Sequence, residues 1–106
     1  MKIVNITEDY IEFDNGNKIT YDHDADCCEW NYADFSQVDD ENIYKIDFEE
    51  DLKFEAVEDS GFRFGSNPLR MVFVPCYSSQ NGYYSTDIVI YYNGELKLEF
   101  NAELVC

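Results

Sequence analysis

Apolar and polar residues alternate along much of this chain, which is the pattern of half-buried β-strands. A first strand is predicted at about residues 2–7. Residues 10–14 and 18–22 alternate on either side of Asn15-Gly16, a pair that favours the positive φ angles of a type I′ hairpin turn. The first 22 residues therefore predict an antiparallel meander.

The middle of the chain predicts shorter elements. Residues 28–35 are rich in aromatic side chains and are compatible with a strand. Residues 38–42 are acidic and predict a turn or one short helical turn, whereas residues 43–48 and 52–57 alternate again and predict two further strands.

Stronger strand signals follow in the last third. Residues 69–74 are nearly continuously apolar, as in a central strand. Pro75 should end that strand or place it at a sheet edge, because proline has no N–H to donate. Residues 83–92 and 95–100 flank Asn93-Gly94, which is a second hairpin signal.

These patterns predict the fold class. In residues 95–100 the period is two, so one face should be apolar and the other should carry Lys97 and Glu99. No long segment has helical periodicity. We therefore expect a mainly β protein, with a β-rich α+β fold as the alternative, arranged as an antiparallel sandwich, small barrel or highly curved sheet of about seven to nine strands. The length predicts a single domain over residues 1–106.

The charge is distributed unevenly along the chain. Residues 1–60 hold 19 of the 23 acidic residues but only four of the seven Lys and Arg residues, and the net charge is −16. Such a field repels nucleic acid and anionic membranes and attracts basic partners. A simpler explanation of the same composition is that it only keeps the protein soluble.

Targeting signals are not evident. No secretory signal follows Met1, and no run approaches the roughly 20 apolar residues of a membrane span. These observations predict a cytoplasmic protein whose four cysteines are reduced.

A short motif contains the single His and two of the four Cys. Asp22, Asp24 and Asp26 have the spacing with which an EF-hand calcium loop begins. However, Cys27 stands where that loop needs glycine, and Ala33 stands where it needs a bidentate Glu. The motif therefore argues against a calcium loop of that type.

Two other interpretations of the motif stay open. His23, Cys27 and Cys28 could bind a metal such as zinc, with Cys76 or Cys106 joining them through the fold. Adjacent cysteines point to opposite faces of a strand, however, so we favour a structural role in which the thiols are buried and His23 pins the loop. Catalysis by a Cys–His pair is disfavoured, because the surrounding acids suppress the thiolate.

Two stretches resemble a known family. Residues 23–29 and 81–85 are similar to the His-Asp-Gln-Asp-Cys-Cys-Glu and Asn-Gly-Tyr-Tyr-Ser segments of a small family found in bacteriophages and bacterial genomes, with Ala25 in place of the Gln. The resemblance implies a phage or mobile-element context and no particular reaction. It also implies one spatial cluster, either a site or, as we favour, a brace of the core: His23, Asp26, Cys27, Cys28, Glu29, Asn81, Tyr83, Tyr84 and Ser85.

The spacing of the acids suggests how they could be used. On a strand, residues i and i+2 point the same way, roughly 6.6–6.8 Å apart, which is similar to the spacing of successive phosphates. Asp22, Asp24 and Asp26 would make one such row if their strand continues, and Asp47 and Glu49 would make another. The residues predicted to bind a partner are Asp22, Asp24, Asp26, Asp39, Asp40, Glu41, Glu49, Glu50 and Asp51.

The sequence thus predicts a small, cytoplasmic, non-enzymatic accessory protein that binds a basic protein through an acidic face and needs no cofactor. In its sharpest form it inhibits a host nuclease or defence protein by mimicking nucleic acid. We expect a monomer or homodimer that binds neither nucleic acid nor membranes directly. The alternatives are a metal- or small-ligand-binding domain centred on His23, Cys27 and Cys28, and a structural scaffold with no ligand.

Overall fold

The structure, a computed structural model, describes residues 1–22, 30–67, 71–79 and 87–105. These ranges contain ten strands, two short 3₁₀ helices and no α-helix, so the predicted mainly β fold is confirmed. No helix in these ranges is long and apolar enough to cross a membrane. The elements are β1 (Ile3–Ile6), β2 (Tyr10–Phe13), β3 (Lys18–Asp22), β4 (Trp30–Ala33), η1 (Phe35–Val38), η2 (Ile43–Lys45), β5 (Lys53–Val57), β6 (Gly61–Gly65), β7 (Val72–Ser79), β8 (Asp87–Tyr92), β9 (Glu95–Asn101) and β10 (Glu103–Val105).

The strands form two five-stranded sheets. The first has the order β1-β2-β3-β8-β9, and every neighbouring pair in it is antiparallel. The second has the order β10-β7-β6-β5, and β4 also pairs antiparallel with β7. β10 runs parallel to β7, so one pairing departs from the predicted antiparallel pattern.

Aromatic side chains join the two sheets into a sandwich. The ring of Phe62 in β6 lies 6.1 Å from that of Phe100 in β9, and Phe54 in β5 lies 5.7 Å from Tyr92 in β8. Burying about 150–250 Å² per aromatic side chain helps to offset the entropy lost when the backbone is ordered. Both sheets contribute fully buried residues to one core, among them Ile11, Ile19, Ile88, Ile90, Phe62, Phe64 and Val74.

The two Asn-Gly pairs within the described ranges form different turns. Asn93 and Gly94 have φ angles of 54° and 80°, as a type I′ turn requires. At Asn15-Gly16 the type I′ prediction is wrong, because Gly16 alone has a positive φ (89°) and its N–H donates to the carbonyl of Phe13 at 3.0 Å. This is a three-residue hairpin loop with glycine at its left-handed position.

The prediction that Pro75 ends a strand or marks a sheet edge is also wrong. Pro75 is buried inside β7, which is bordered by β6, β4 and β10. The strand changes partners at this residue: Pro75 pairs with Gly61 of β6, and Cys76 pairs with Ala33 of β4. The missing N–H therefore falls between two ladders, while the Pro75 carbonyl accepts a hydrogen bond from the Asp34 N–H at 2.8 Å.

The strand predicted at residues 43–48 is not formed. Ile43 begins η2, and the chain from residue 46 to residue 49 has no regular structure. Ile43 and Phe48 are both buried. An odd separation of five would put them on opposite faces of a strand, whereas a 3₁₀ turn followed by an irregular segment brings both to the core.

Alternation in β9 is interrupted by a bulge. Ile90 pairs with Leu98 but Tyr91 pairs with Leu96, so Lys97 is the extra residue. Leu96, which the period of two places on the apolar face, is 55% exposed as a result. The predicted division of this strand into an apolar and a polar face therefore fails at its N-terminal end, before the bulge.

Candidate functional site

The acidic segment, residues 39–51, exposes its carboxylates and buries its apolar anchors. Val38 and Leu52 are buried at its two ends, and Ile43 and Phe48 are buried within it. These anchors hold the segment against the core while its acidic residues face solvent. The seven acids are Asp39, Asp40, Glu41, Asp47, Glu49, Glu50 and Asp51, and all are exposed.

Hydrogen bonds to the first sheet fix the second half of the acidic segment. The Phe48 N–H donates to the carbonyl of Met1 at 2.6 Å. The hydroxyl of Tyr92 donates to the backbone carbonyl of Glu50 at 2.9 Å, and the side-chain amide of Asn15 donates to its carboxylate at 3.3 Å. The segment is thus held in one place and presents its charges on a defined surface.

Few cations compensate the charge of the acidic segment. Within the parts of the chain that the structure describes, its one ion pair joins Asp47 to the α-amino group of Met1 at 3.0 Å, which lowers the pKa of Asp47. Lys45 lies in the segment but forms no ion pair with any residue in the described ranges. Asp39 accepts from the Tyr44 hydroxyl at 2.8 Å, which leaves its charge in place. The segment therefore retains a strong negative potential.

An apolar groove adjoins the acidic segment. An open depression of about 290 Å³ is lined by Ile46, Val72 and Phe73 together with exposed Asp40. Ile46 and Phe73 are large apolar side chains that are 40% and 44% exposed. Ile46 and Val72 also line an adjoining depression of about 620 Å³, which Lys45 and Asp47 border. An apolar centre beside exposed carboxylates is the composition of a protein-binding surface.

The predicted phosphate-like rows of acids are not formed within the described residues. Asp47 and Glu49 lie outside any strand, so the i, i+2 geometry does not apply to them. Asp22 ends β3, where its backbone pairs with Val89. Asp24 and Asp26 lie outside the described residues.

The motif residues also fall outside the described part of the chain. They are His23, Asp26, Cys27, Cys28, Glu29, Asn81, Tyr83, Tyr84 and Ser85, and the alternative metal ligands His23, Cys27 and Cys28 are among them. Among residues 1–22, 30–67, 71–79 and 87–105, no group of three His, Cys, Asp or Glu side chains could hold a metal ion.

Cys76 is the cysteine whose surroundings are described. Its side chain is fully buried in β7, and its thiol donates to the Val74 carbonyl at 3.8 Å. Burial, with a smaller contribution from the charge of Asp34, raises the pKa of the Cys76 thiol far above its usual range. The thiol is therefore protonated at neutral pH, which makes it a poor nucleophile and a poor metal ligand.

A buried polar pair connects the two sheets, and the sequence analysis did not find it. Asn31 in β4 and Ser78 in β7 are 2% and 0% exposed, and the Ser78 hydroxyl donates to the Asn31 side-chain carbonyl. The Asn31 amide donates to the Asp87 carbonyl of β8 at 3.1 Å. Alternation predicts strands here, but it does not tell which polar residue faces the core.

Comparison with known proteins places the chain in a family. A family model described as "Domain of unknown function (DUF7448)" matches residues 1–90. The chain belongs to this family. This confirms the expected membership of a family of unknown function, whereas the phage setting and the two motifs stay predictions. No curated protein and no solved structure matches the chain. The DUF7448 match ends inside β8, whereas the sandwich also uses β9 and β10.

Proposed function

We propose that this DUF7448 protein is a non-enzymatic binding protein that docks a basic protein partner on the acidic segment and the apolar groove. In its sharpest form it acts in the cytoplasm, in a phage or mobile-element setting, and inhibits a protein that handles nucleic acid. The observation that carries the proposal is the juxtaposition of exposed Ile46 and Phe73 with Asp40, which has no cationic partner among the described residues, and with the other exposed acids of the segment.

The two parts of this surface would have different roles in binding. Carboxylates at the edge of an interface steer a basic partner and speed its association, and they contribute modestly to affinity. Apolar side chains at the centre supply most of the affinity when they are fully desolvated. Ile46 and Phe73 have that central position, with Asp40 and Asp47 beside them.

The chemistry of the proposed partner follows from the charge. Proteins that bind nucleic acid present Lys and Arg side chains to phosphates. A protein with net charge −16 would be attracted to the same side chains and would compete with the nucleic acid for them. Inhibition by occupation of such a surface needs no catalytic residue and no cofactor.

Affinity capture tests the proposal. The tagged protein is used as bait in a bacterial lysate at low salt, and bound proteins are eluted by raising the salt. We expect one basic, nucleic-acid-handling protein to be released at high salt, and we expect the variant Phe73→Ser to lose it. Leu96→Ser is the matched control, because Leu96 is 55% exposed outside this groove and its replacement should leave capture intact. If the bait releases no protein in this way, or if both variants behave alike, the proposal is wrong.

A further inference from the structure

A second concave site lies between the turn after β1 and the chain around β4. It is a pocket of about 340 Å³ lined in part by the half-buried rings of Tyr21 and Tyr32 and by the buried side chain of Phe35. The rings of Tyr21 and Phe35 meet edge to face, with their centroids 5.7 Å apart. The pocket thus has aromatic walls of defined orientation.

Three acidic residues line the same pocket. Glu8 and Asp9 are exposed on the turn between β1 and β2, and Asp34 follows β4. Asp34 is held in place, because Gln37 donates to one of its oxygens at 2.8 Å and the Ser36 hydroxyl donates to the other. Both donors are neutral, so they orient the carboxylate without cancelling its charge. The described lining of the pocket includes no Lys, Arg or His.

Burial and the nearby charges both affect the two tyrosine hydroxyls. Burial raises the pKa of Tyr21, and the charges of Asp9 and Glu8 raise it further. Burial likewise raises the pKa of Tyr32, and Asp34 adds to that effect. The carboxylates that line the pocket thus act on both hydroxyls.

The arrangement favours an organic cation over a bare metal ion. A metal ion needs several ligand atoms that converge on one point, and no three acidic, His or Cys side chains among the described residues are close enough to do so. A guanidinium or ammonium group instead pairs with separated carboxylates and stacks on aromatic faces. A volume of about 340 Å³ also suits a group of this size and an alkyl stem.

We propose that this pocket binds an organic cation, a guanidinium or primary ammonium group, between the rings of Tyr21 and Tyr32 and the carboxylates of Glu8, Asp9 and Asp34. The cation is either a free small molecule or an Arg or Lys side chain of the basic partner. The second source rests on the function proposed above, whereas the first does not.

Titration with a matched pair of compounds tests the inference. N-acetylarginine amide carries the guanidinium group, and N-acetylcitrulline amide has nearly the same shape but no charge. We expect the arginine compound to produce saturable shifts in the nuclear magnetic resonance signals of Tyr21 and Tyr32, with a dissociation constant on the order of 1 mM. The citrulline compound should bind at least about tenfold more weakly. Equal responses to both compounds, or no saturable shift with either, would overturn the inference.

Two variants distinguish binding in the pocket from a non-specific attraction of the cation to an acidic protein. The double variant Glu8→Gln/Asp9→Asn removes two charges at the pocket, whereas Glu99→Gln/Glu103→Gln removes two exposed charges in β9 and β10. The first should weaken binding of the arginine compound severalfold and the second should leave it unchanged. Equal losses would overturn the inference.

The same variants, used as bait, identify the source of the cation. If Glu8→Gln/Asp9→Asn also loses the salt-released partner, the cation is a side chain of that partner. If this variant keeps the partner and loses only the arginine compound, the cation is a small molecule. The titration does not depend on any captured protein, so failure of the proposed function and failure of the pocket give different results.

Discussion

Gly61 of β6 lies directly opposite Pro75 of β7, and the two backbones approach so closely that a Cβ on Gly61 would lie 2.1 Å from the Val74 carbonyl oxygen. The Cys76 N–H also donates to the Ser60 carbonyl at 3.0 Å. The backbone of β7 thus occupies the space that any side chain at position 61 would need.

Replacing Gly61 with Ala should therefore destabilise the protein strongly. The added methyl group would overlap backbone atoms that have no room to move, and we expect a loss of about 3 kcal/mol in the free energy of unfolding, measured in urea. Gly16→Ala is the control, since Gly16 also has a positive φ but has open space around it. It should lose only about 1 kcal/mol. Equal losses for the two variants would contradict the close packing at Gly61.

The buried pair Asn31 and Ser78 should stabilise the sandwich cooperatively. Ser78→Ala removes a buried donor to the Asn31 side-chain carbonyl, and we expect a loss of about 1–3 kcal/mol. In a double-mutant cycle with Asn31→Ala, the coupling between the two residues should be at least about 0.5 kcal/mol. Losses that simply add would show that the two side chains contribute independently.

Stability should decline at alkaline pH. Folding raises the pKa of Cys76 and also those of Tyr21 and Tyr92, in each case mainly through burial. A group whose pKa is raised by folding stabilises the protein fully below its unfolded pKa and loses that effect as the pH rises toward its folded pKa. The free energy of unfolding should thus fall above about pH 8.5, where the unfolded thiol ionises, and further above about pH 10, where unfolded tyrosines ionise.

Urea denaturation at a series of pH values measures this decline, and Cys76→Ala is the informative variant. It should be less stable near pH 7, but its stability should fall less steeply between about pH 8.5 and 10. A wild-type stability that stays constant up to about pH 10.5, or identical slopes for the two proteins, would contradict the role of the buried thiol.

Added salt should stabilise the folded protein. A net charge of −16 concentrated in the first 60 residues causes self-repulsion, and salt screens it by shortening the Debye length from about 30 Å at 0.01 M to about 8 Å at 0.15 M. Thermal unfolding across this range should show a rising midpoint. The triple variant Asp39→Asn/Asp40→Asn/Glu41→Gln should be more stable than the wild type at low salt and respond less to added salt. An unfolding temperature that does not change with salt would show that repulsion among the acidic residues does not destabilise the folded protein.

Much of the first sheet could be predicted from the sequence, because period-two alternation reports which face of a strand is buried. β3 was predicted with its observed bounds, Lys18–Asp22. Prediction failed where a tertiary contact overrides a local rule. Pro75 is tolerated because β7 changes partners there, and the bulge at Lys97 shifts Leu96 into solvent. β6, which has glycine at both ends, was not predicted as a strand.

Of the candidate site, only the negative charge could be predicted from the sequence. The exposure of Asp39, Asp40 and Glu41 follows from their residue type, since carboxylates are rarely buried. The apolar groove could not be predicted, because Ile46 and Phe73 are 27 positions apart in the chain and meet only in the folded protein, where both line the same depression. The pocket at Tyr21 and Tyr32 likewise depends on how β3 and β4 are arranged.

The most direct test of the acidic segment as a binding surface is the dissociation constant of the captured complex for two variants of equal charge. Asp39→Asn/Asp40→Asn/Glu41→Gln removes three carboxylates from the segment, and Glu95→Gln/Glu99→Gln/Glu103→Gln removes three exposed carboxylates elsewhere. We expect the first variant to bind roughly 5- to 30-fold more weakly at low salt and the second to bind like the wild type. Equal weakening by both variants would show that only net charge matters, and it would contradict a partner docked on residues 39–51.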